Sequence, residues 1–188
     1  MKTERDTKGS ERPSYFLTTK RLALRTWTEA DEPLALALWG DAEGTKLVGG
    51  PLSPDDVHAR LKREIAIQHS QHYQYWPVFR LDGAGLVGCC GLRPYKPSAK
   101  VHELGFQIRR EHWGNGYATE AATAVIAHAF GPLGAAALFA GHHPENATSR
   151  HVLAKLGFEY THDEFYAPTR LMHPSYILTV ERWRESAG

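Results

Sequence analysis

The chain has 188 residues, 42% of them hydrophobic and 23% charged, which suits one substantial core and excludes disorder. Its 22 basic and 21 acidic residues leave a net charge of +1, too little for the broad basic field that nucleic-acid binding draws on. The stretch from Met1 to Ser14 carries Lys2, Arg5, Lys8 and Arg12 but no apolar secretion core, and no later run reaches membrane-spanning length.

The first residues, through position 15, are polar and aperiodic and read as a flexible tail, with one domain following over 16–188. Leu22 and Leu24 alternate with Arg21 and Arg25 as in a half-buried strand, and Thr28 looks like the N-cap of a helix through Leu38 and Trp39. Ser53, followed by Pro54, Asp55 and Asp56, starts a second helix, expected to run through Ile67. Tyr73 to Arg80 and Leu86 to Leu92 form a hairpin about a turn at Asp82 to Gly85. A loop with Pro94 and Pro97 leads to a strand over Val101 to Ile108. Apolar residues at helical spacing run from Tyr117 to Phe130 and stop at Gly131 and Pro132. A strand at Ala136 to Gly141, a helix at Ala147 to Leu156 closed by Gly157, and strands at Phe158 to Phe165 and Tyr176 to Arg182 follow. The only cysteines, Cys89 and Cys90, are neighbours in a strand and point to opposite faces, which disfavours a disulfide and fits a reducing cytoplasm.

The turn from Arg110 to Gly116 joins a strand to a helix. Gly114 and Gly116 let backbone approach a ligand, and the free N–H groups at the helix start favour an anion. A Gly-x-Gly turn is also often only a tight turn. A nucleotide-hydrolysing loop would need Gly-Lys-Ser/Thr here, and a dinucleotide loop would need a further small residue near Thr119 and an acid after the next strand; neither is present. What remains is a pyrophosphate held by backbone donors.

The segment Trp113-Gly-Asn-Gly-Tyr-Ala-Thr-Glu-Ala121 resembles the acetyl-CoA signature of the GNAT N-acetyltransferases, in the wording of the RimJ/RimL branch that acetylates ribosomal-protein N-termini. Thr18-Thr-Lys-Arg-Leu-Ala-Leu-Arg25 and Glu145-Asn-Ala-Thr-Ser-Arg-His-Val-Leu-Ala-Lys-Leu-Gly-Phe158 carry the same resemblance, which spans roughly 16–183. It implies an α/β fold, a mixed, mostly antiparallel sheet of about six to seven strands flanked by about four helices, with a V-shaped splay between central strands for the cofactor. It implies acetyl-CoA as co-substrate, no metal, and an amine acceptor, either a protein N-terminus or a small molecule; a homodimer is left open. By the same resemblance Trp113, Gly114, Asn115, Gly116, Tyr117, Ala118 and Thr119 form the pyrophosphate loop, with Trp113 where the superfamily usually has a polar residue. Phe106, Gln107 and Ile108 pair with the pantetheine like an added strand.

Acetyl transfer to an amine needs a neutral amine, a stabilised oxyanion and a proton for the departing thiolate. Alternation along the strand puts Glu103 and Gln107 on one face and Leu104, Phe106 and Ile108 on the other. Glu103 is then a candidate base, acting directly or through water, or else a solvated strand carboxylate. A backbone N–H near Ile108 is the oxyanion donor that the resemblance implies. The Tyr that many GNAT enzymes use toward the thiolate is replaced by Leu153, while Ser149 matches the hydroxyl of the RimJ/RimL-like branch; Ser149 also fits a first-turn serine serving the backbone. Asn146 sits where an N-cap belongs and can also hold the pantetheine. By the same resemblance Trp27, Trp39, Tyr73, Tyr75 and Trp76 lie in segments that flank the acceptor side, several expected as core and one or two as pocket lining. Eleven histidines form no metal-binding spacing, and no Gly-x-Ser-x-Gly elbow is present. The competing expectation is a non-catalytic acetyl-CoA-binding module, favoured by the loss of Tyr at Leu153.

Overall fold

In the computed structural model, which describes residues 14 to 187, the chain begins with β1 (Leu17–Thr18) and β2 (Leu22–Leu24). A 3-10 turn at Glu29–Asp31, α1 (Glu32–Trp39), α2 (Ala42–Thr45) and α3 (Pro54–Gln71) follow. Then come β3 (Tyr75–Arg80), β4 (Leu86–Lys96), β5 (Val101–Ile108), α4 (Tyr117–Phe130), β6 (Ala137–Gly141), α5 (Ala147–Lys155), β7 (Glu159–Tyr166), β8 (Leu171–Thr179) and α6 (Val180–Ala187). Of the expected tail, 1–13 lie outside the described residues. Tyr15 already packs on Phe79, with ring centroids 6.3 Å apart.

The strands form one sheet in the order β1-β2-β3-β4-β5-β6-β8-β7. Every pairing is antiparallel except β5 with β6, which α4 links as a crossover. Eight strands exceed the expected six to seven because the short β1 joins the edge. Six helices exceed the expected four because α2 adds a single turn and α6 takes over the end of the expected Tyr176 to Arg182 strand: the final strand starts at Leu171 and stops at Thr179, where the helix begins. Arg182 belongs to that helix and ties it back by donating to the Gly157 carbonyl at 2.9 Å.

Thr28 precedes the 3-10 turn rather than α1 itself. The Asp31 carboxylate accepts the Thr28 N–H at 2.8 Å and both terminal nitrogens of Arg25 at 2.6 and 2.7 Å. At β4 the sequence-based loop is instead strand, since Pro94 is accommodated beside a register shift between Pro94 and Lys96. The regular strand β3 begins at Tyr75, two residues later than Tyr73, although the Gln74 carbonyl still accepts the Leu92 N–H of β4 at 3.0 Å.

The core has two parts, one on each face of the sheet. On one face Leu22, Trp76, Cys90, Leu104, Leu138 and Leu178 pack under α4; on the other Trp27, Trp39, Val57, Leu61, Tyr75 and Cys89 pack under α1 and α3. Cys89 and Cys90 therefore do occupy opposite faces, and both are free thiols. Trp39 and Trp76 are fully buried, each contributing about 2–3 kcal/mol from removal of apolar surface from water. Among the described residues no helix is long and apolar enough to cross a membrane.

Pairing of β5 with β6 is confined to Val101–Ala137, His102–Leu138 and Glu103–Phe139. Beyond Glu103, β5 runs on to Ile108 and β6 to Gly141 without a shared ladder. The sheet thus opens as a wedge in its middle, and one edge of β5 keeps unpaired backbone groups there.

Candidate active site

The wedge is floored by the start of α4. Gly114 and Gly116 have φ of +76° and +75°, the left-handed region that side chains disfavour, and Gly116 is the N-cap of the helix. The first intrahelical bond here is from the Glu120 N–H to the Gly116 carbonyl at 3.1 Å, so the N–H groups of Tyr117, Ala118 and Thr119 lack helical partners and leave the positive end of the dipole able to receive an anion.

Side chains of this loop fold inward onto the loop itself. Asn115 Nδ2 donates to the His112 and Trp113 carbonyls at 3.1 and 3.0 Å. The Trp113 indole is exposed, and its Nε1 donates to the Ile108 carbonyl at 2.7 Å, joining loop to strand. Only the backbone of Asn115 is then left to meet a phosphate. Sequence reading missed the outer brace: Arg21 donates to Glu120 at 2.6 Å and to the Asn115 carbonyl at 3.0 Å, while its guanidinium lies 4.6 Å over the Tyr117 ring. Thr19 adds a hydroxyl to Glu120 at 2.6 Å. All five residues, Thr19, Arg21, Asn115, Tyr117 and Glu120, stand inside the quoted motifs, so the signal was present as co-occurrence but its geometry was not.

Alternation along β5 holds. Leu104, Phe106 and Ile108 pack on the α4 side. Gln107 turns to the opposite face, where its Nε2 donates to the Leu38 carbonyl at 3.0 Å, and Glu103 follows it, accepting the Tyr75 hydroxyl at 3.2 Å. A groove of about 470 Å³ opens there, lined by Ala37, Leu38, Asp41, Gly44, Gln107 and Arg109 among others.

Glu103 is largely enclosed, and burial raises its pKa; the Arg93 charge and the Tyr75 hydrogen bond pull it down, while Glu164 and Glu64 push it up. The balance lies above the usual carboxylate value, which strengthens it as a base. It is not the solvated strand acid that a single exposed face would give. Gly105 makes the Tyr75 contact possible, because any Cβ at that position would collide with the Tyr75 hydroxyl and ring. A second tyrosine–carboxylate pair stands beside it: Tyr95 donates to Glu164 at 2.9 Å and stacks flat on Phe139 at 3.9 Å, and burial with the neighbouring acids takes the Tyr95 phenol up to about 12. Trp27, Trp39, Tyr73, Tyr75 and Trp76 are all buried; of the five, Tyr75 reaches the carboxylate.

At the start of α5, Asn146 is the cap: its Oδ1 accepts the Ser149 N–H at 2.9 Å. Both are half-buried. Leu153 lies on the buried side of the same helix, in the core with Leu138 and Leu178. Nearby, His142 at the end of β6 is buried against the Tyr176 hydroxyl at 3.3 Å, and burial holds its pKa down.

The GNAT acetyltransferase domain model matches residues 21–159. YoaA of Bacillus subtilis (strain 168), an uncharacterised N-acetyltransferase, is 28% identical over 146 residues, covering 77% of this chain and 82% of its own. The N-acetyltransferase p20 of Bacillus licheniformis is 28% identical over 145 residues, 76% of this chain and 82% of its own. In fold, a GNAT-family acetyltransferase of Bacillus anthracis aligns with a TM-score of 0.76 at 20% identity, covering 88% of this chain and 98% of its own. RimL, a ribosomal alpha-N-protein acetyltransferase, aligns with a TM-score of 0.77 at 16% identity, covering 92% and 98%. A domain match across most of the sequence, on a sheet split at the expected strands, places the chain in the GNAT family of acetyltransferases.

Proposed function

We propose that the chain transfers the acetyl group of acetyl-CoA to a primary amine, by direct attack in a ternary complex. The observation that carries this reading is the wedge itself: an unpaired β5 edge leads from Glu103 to a loop whose backbone donors converge at the start of α4. Phe106, Gln107 and Ile108 supply the edge for the pantetheine, and Gly114 to Thr119 supply the donors for the pyrophosphate. A RimL structure with 0.77 TM-score and 13% identity is in complex with coenzyme A, which supports the same ligand here.

In the reaction the amine nitrogen attacks the acetyl carbonyl carbon, a C–N bond forms and the C–S bond breaks. Glu103 takes the ammonium proton directly or through water, and the thiolate leaves as a thiol with a proton relayed by the Ser149 hydroxyl. An α-amine, with an ordinary pKa of about 8, asks for only modest help from such a base. A protein N-terminus is the acceptor favoured by analogy with RimL, and a small amine is the alternative. Two buried free thiols suit work in a reducing cytoplasm.

Calorimetric titration of acetyl-CoA, followed by thiol release with pooled peptides and small amines, tests the proposal. Binding with amine-dependent release supports it. Failure to bind acetyl-CoA overturns it.

A further inference from the structure

Arg93 and Glu103 are directly opposed across the β4–β5 ladder and would be expected to pair as cross-strand neighbours. They do not. The Arg93 guanidinium bonds the Glu64 carboxylate at 2.6 Å and lies 4.2 Å over the Tyr75 ring. Glu64 comes from α3, is wholly inaccessible to solvent, and also accepts the Tyr75 N–H at 3.0 Å, with Arg60 Nε at 3.8 Å. A fully buried carboxylate on the inward face of α3, in line with Val57 and Leu61, is costly unless its partners answer it, and two of those partners, Arg93 and Tyr75, also border Glu103.

We propose that Glu64 is a positioning residue for acetyl transfer: it captures the Arg93 guanidinium that would otherwise pair with Glu103, leaving that carboxylate held by the Tyr75 hydroxyl. The inference rests on the reading of Glu103 as the base. Tyr75 links the two acids, since its N–H is on Glu64, its ring lies under Arg93 and its hydroxyl is on Glu103. An arginine bonded to a carboxylate stabilises the ionised form and weakens it as a proton acceptor. Diverting Arg93 to Glu64 removes that bond while keeping the cation nearby. The charged and titratable groups facing Glu103 are Arg93 and Tyr95 from β4, Tyr75 from β3, Glu64 from α3 and Glu164 from β7. Of these, Arg93 is the cation, so its direction decides the basicity.

The experiment compares the pH dependence of kcat/KM, under saturating acetyl-CoA, for the wild type, Glu64→Gln, Arg93→Met and the double variant. A carbon-13 NMR titration of the Glu103 carboxyl in the acceptor-free protein accompanies it. Freeing Arg93 by Glu64→Gln is expected to move the acid limb and the carboxyl titration to lower pH, with a fall in maximal kcat. Arg93→Met is expected to move both to higher pH. The double variant removes both members of the close Glu64–Arg93 pair, leaving Arg60 as the remaining cation on that side, keeps the test available if a single variant folds poorly, and is expected to titrate above the wild type. Opposite shifts in the two single variants, with the Glu64→Gln shift absent in the Arg93→Met background, would establish the role; an equal Glu64→Gln shift in both backgrounds would reduce Glu64 to a bare charge and overturn it. A Glu103 titration unmoved by Glu64→Gln would overturn it, while loss of turnover in Glu103→Gln would show that the base itself still stands. Full turnover in Glu103→Gln would instead remove the base reading, and the NMR titration would still decide whether Glu64 controls that carboxyl.

Discussion

Arg21 spans from the edge of β2 to the glycine loop before α4, donating to the Glu120 carboxylate at 2.6 Å and to the Asn115 carbonyl at 3.0 Å. The brace fixes the loop whose amides are proposed to meet the pyrophosphate. Arg21 is nearly half exposed, so solvent screening limits the ion pair to about 1 kcal/mol. Arg21→Ala is therefore expected to weaken coenzyme A binding roughly five-fold while kcat at saturation stays near the wild type. Calorimetry with free coenzyme A checks this, and an unchanged Kd would show that the loop holds its shape without the brace.

At Gly105 the restraint is steric. A methyl group would be driven into the Tyr75 hydroxyl and ring, which are buried and cannot retreat. Gly105→Ala is expected to cost about 1–3 kcal/mol, the usual range for an overpacked interior. Urea unfolding should show a lower midpoint at unchanged slope. The turnover that remains in the folded fraction should also fall, since the Tyr75 to Glu103 bond cannot form as before.

Asp31 gives a pH prediction with a definite sign. Burial on its own would raise its pKa, but the Arg25 fork and the N–H and hydroxyl of Thr28 together outweigh burial and hold it below the ordinary 3.8. A carboxylate with a depressed folded value stabilises the fold above its unfolded pKa, and that contribution is lost as pH falls through the folded value. Asp31→Asn is expected to cost about 2 kcal/mol near neutral pH, the scale of hydrogen bonds to a buried charge. The gap from the wild type should close as the pH drops below 3.8. Thermal melts across that range measure it, and a constant gap would mean the loss is not electrostatic.

Which parts of this could be seen in the sequence follows from the range of the interactions involved. The cap, proline and acids at Ser53 to Asp56 located α3, helical spacing located α4, and the loop at Gly114 and Gly116 was visible because left-handed backbone needs glycine. Alternation placed Glu103 and Gln107 on the right face. It could not show that Glu103 is enclosed, since that depends on Tyr75, Arg93 and Glu164 from three other strands. Glu64 had only its helical spacing from Val57 and Leu61 to mark it as inward-facing, and its partner could not be seen at all, because the arginine comes from the sheet beneath the helix. The end of the chain misled for a related reason. Val180 to Ala187 begins with residues that suit a strand, and its helical state is supported by Phe130 packing on Trp183 at 5.3 Å, a contact from α4.

The proton proposed for the departing thiolate is tested at Ser149 and Leu153. Ser149 sits in the first turn of α5 with its N–H on Asn146, so its hydroxyl is not needed to cap the helix. Ser149→Ala is expected to lower kcat about ten- to a hundred-fold with KM for the amine little changed, the pattern of an interaction made only as the thiol leaves. Leu153→Tyr is not expected to restore the rate, because Leu153 is almost fully buried in the α4-side core, where a larger ring with a hydroxyl would cost about 1–3 kcal/mol. Steady-state kinetics of Ser149→Ala, alone and with Leu153→Tyr, decide the matter. Full recovery in the double variant would show that position 153 reaches the sulfur after all, and an undiminished kcat in Ser149→Ala would hand the proton relay to another group.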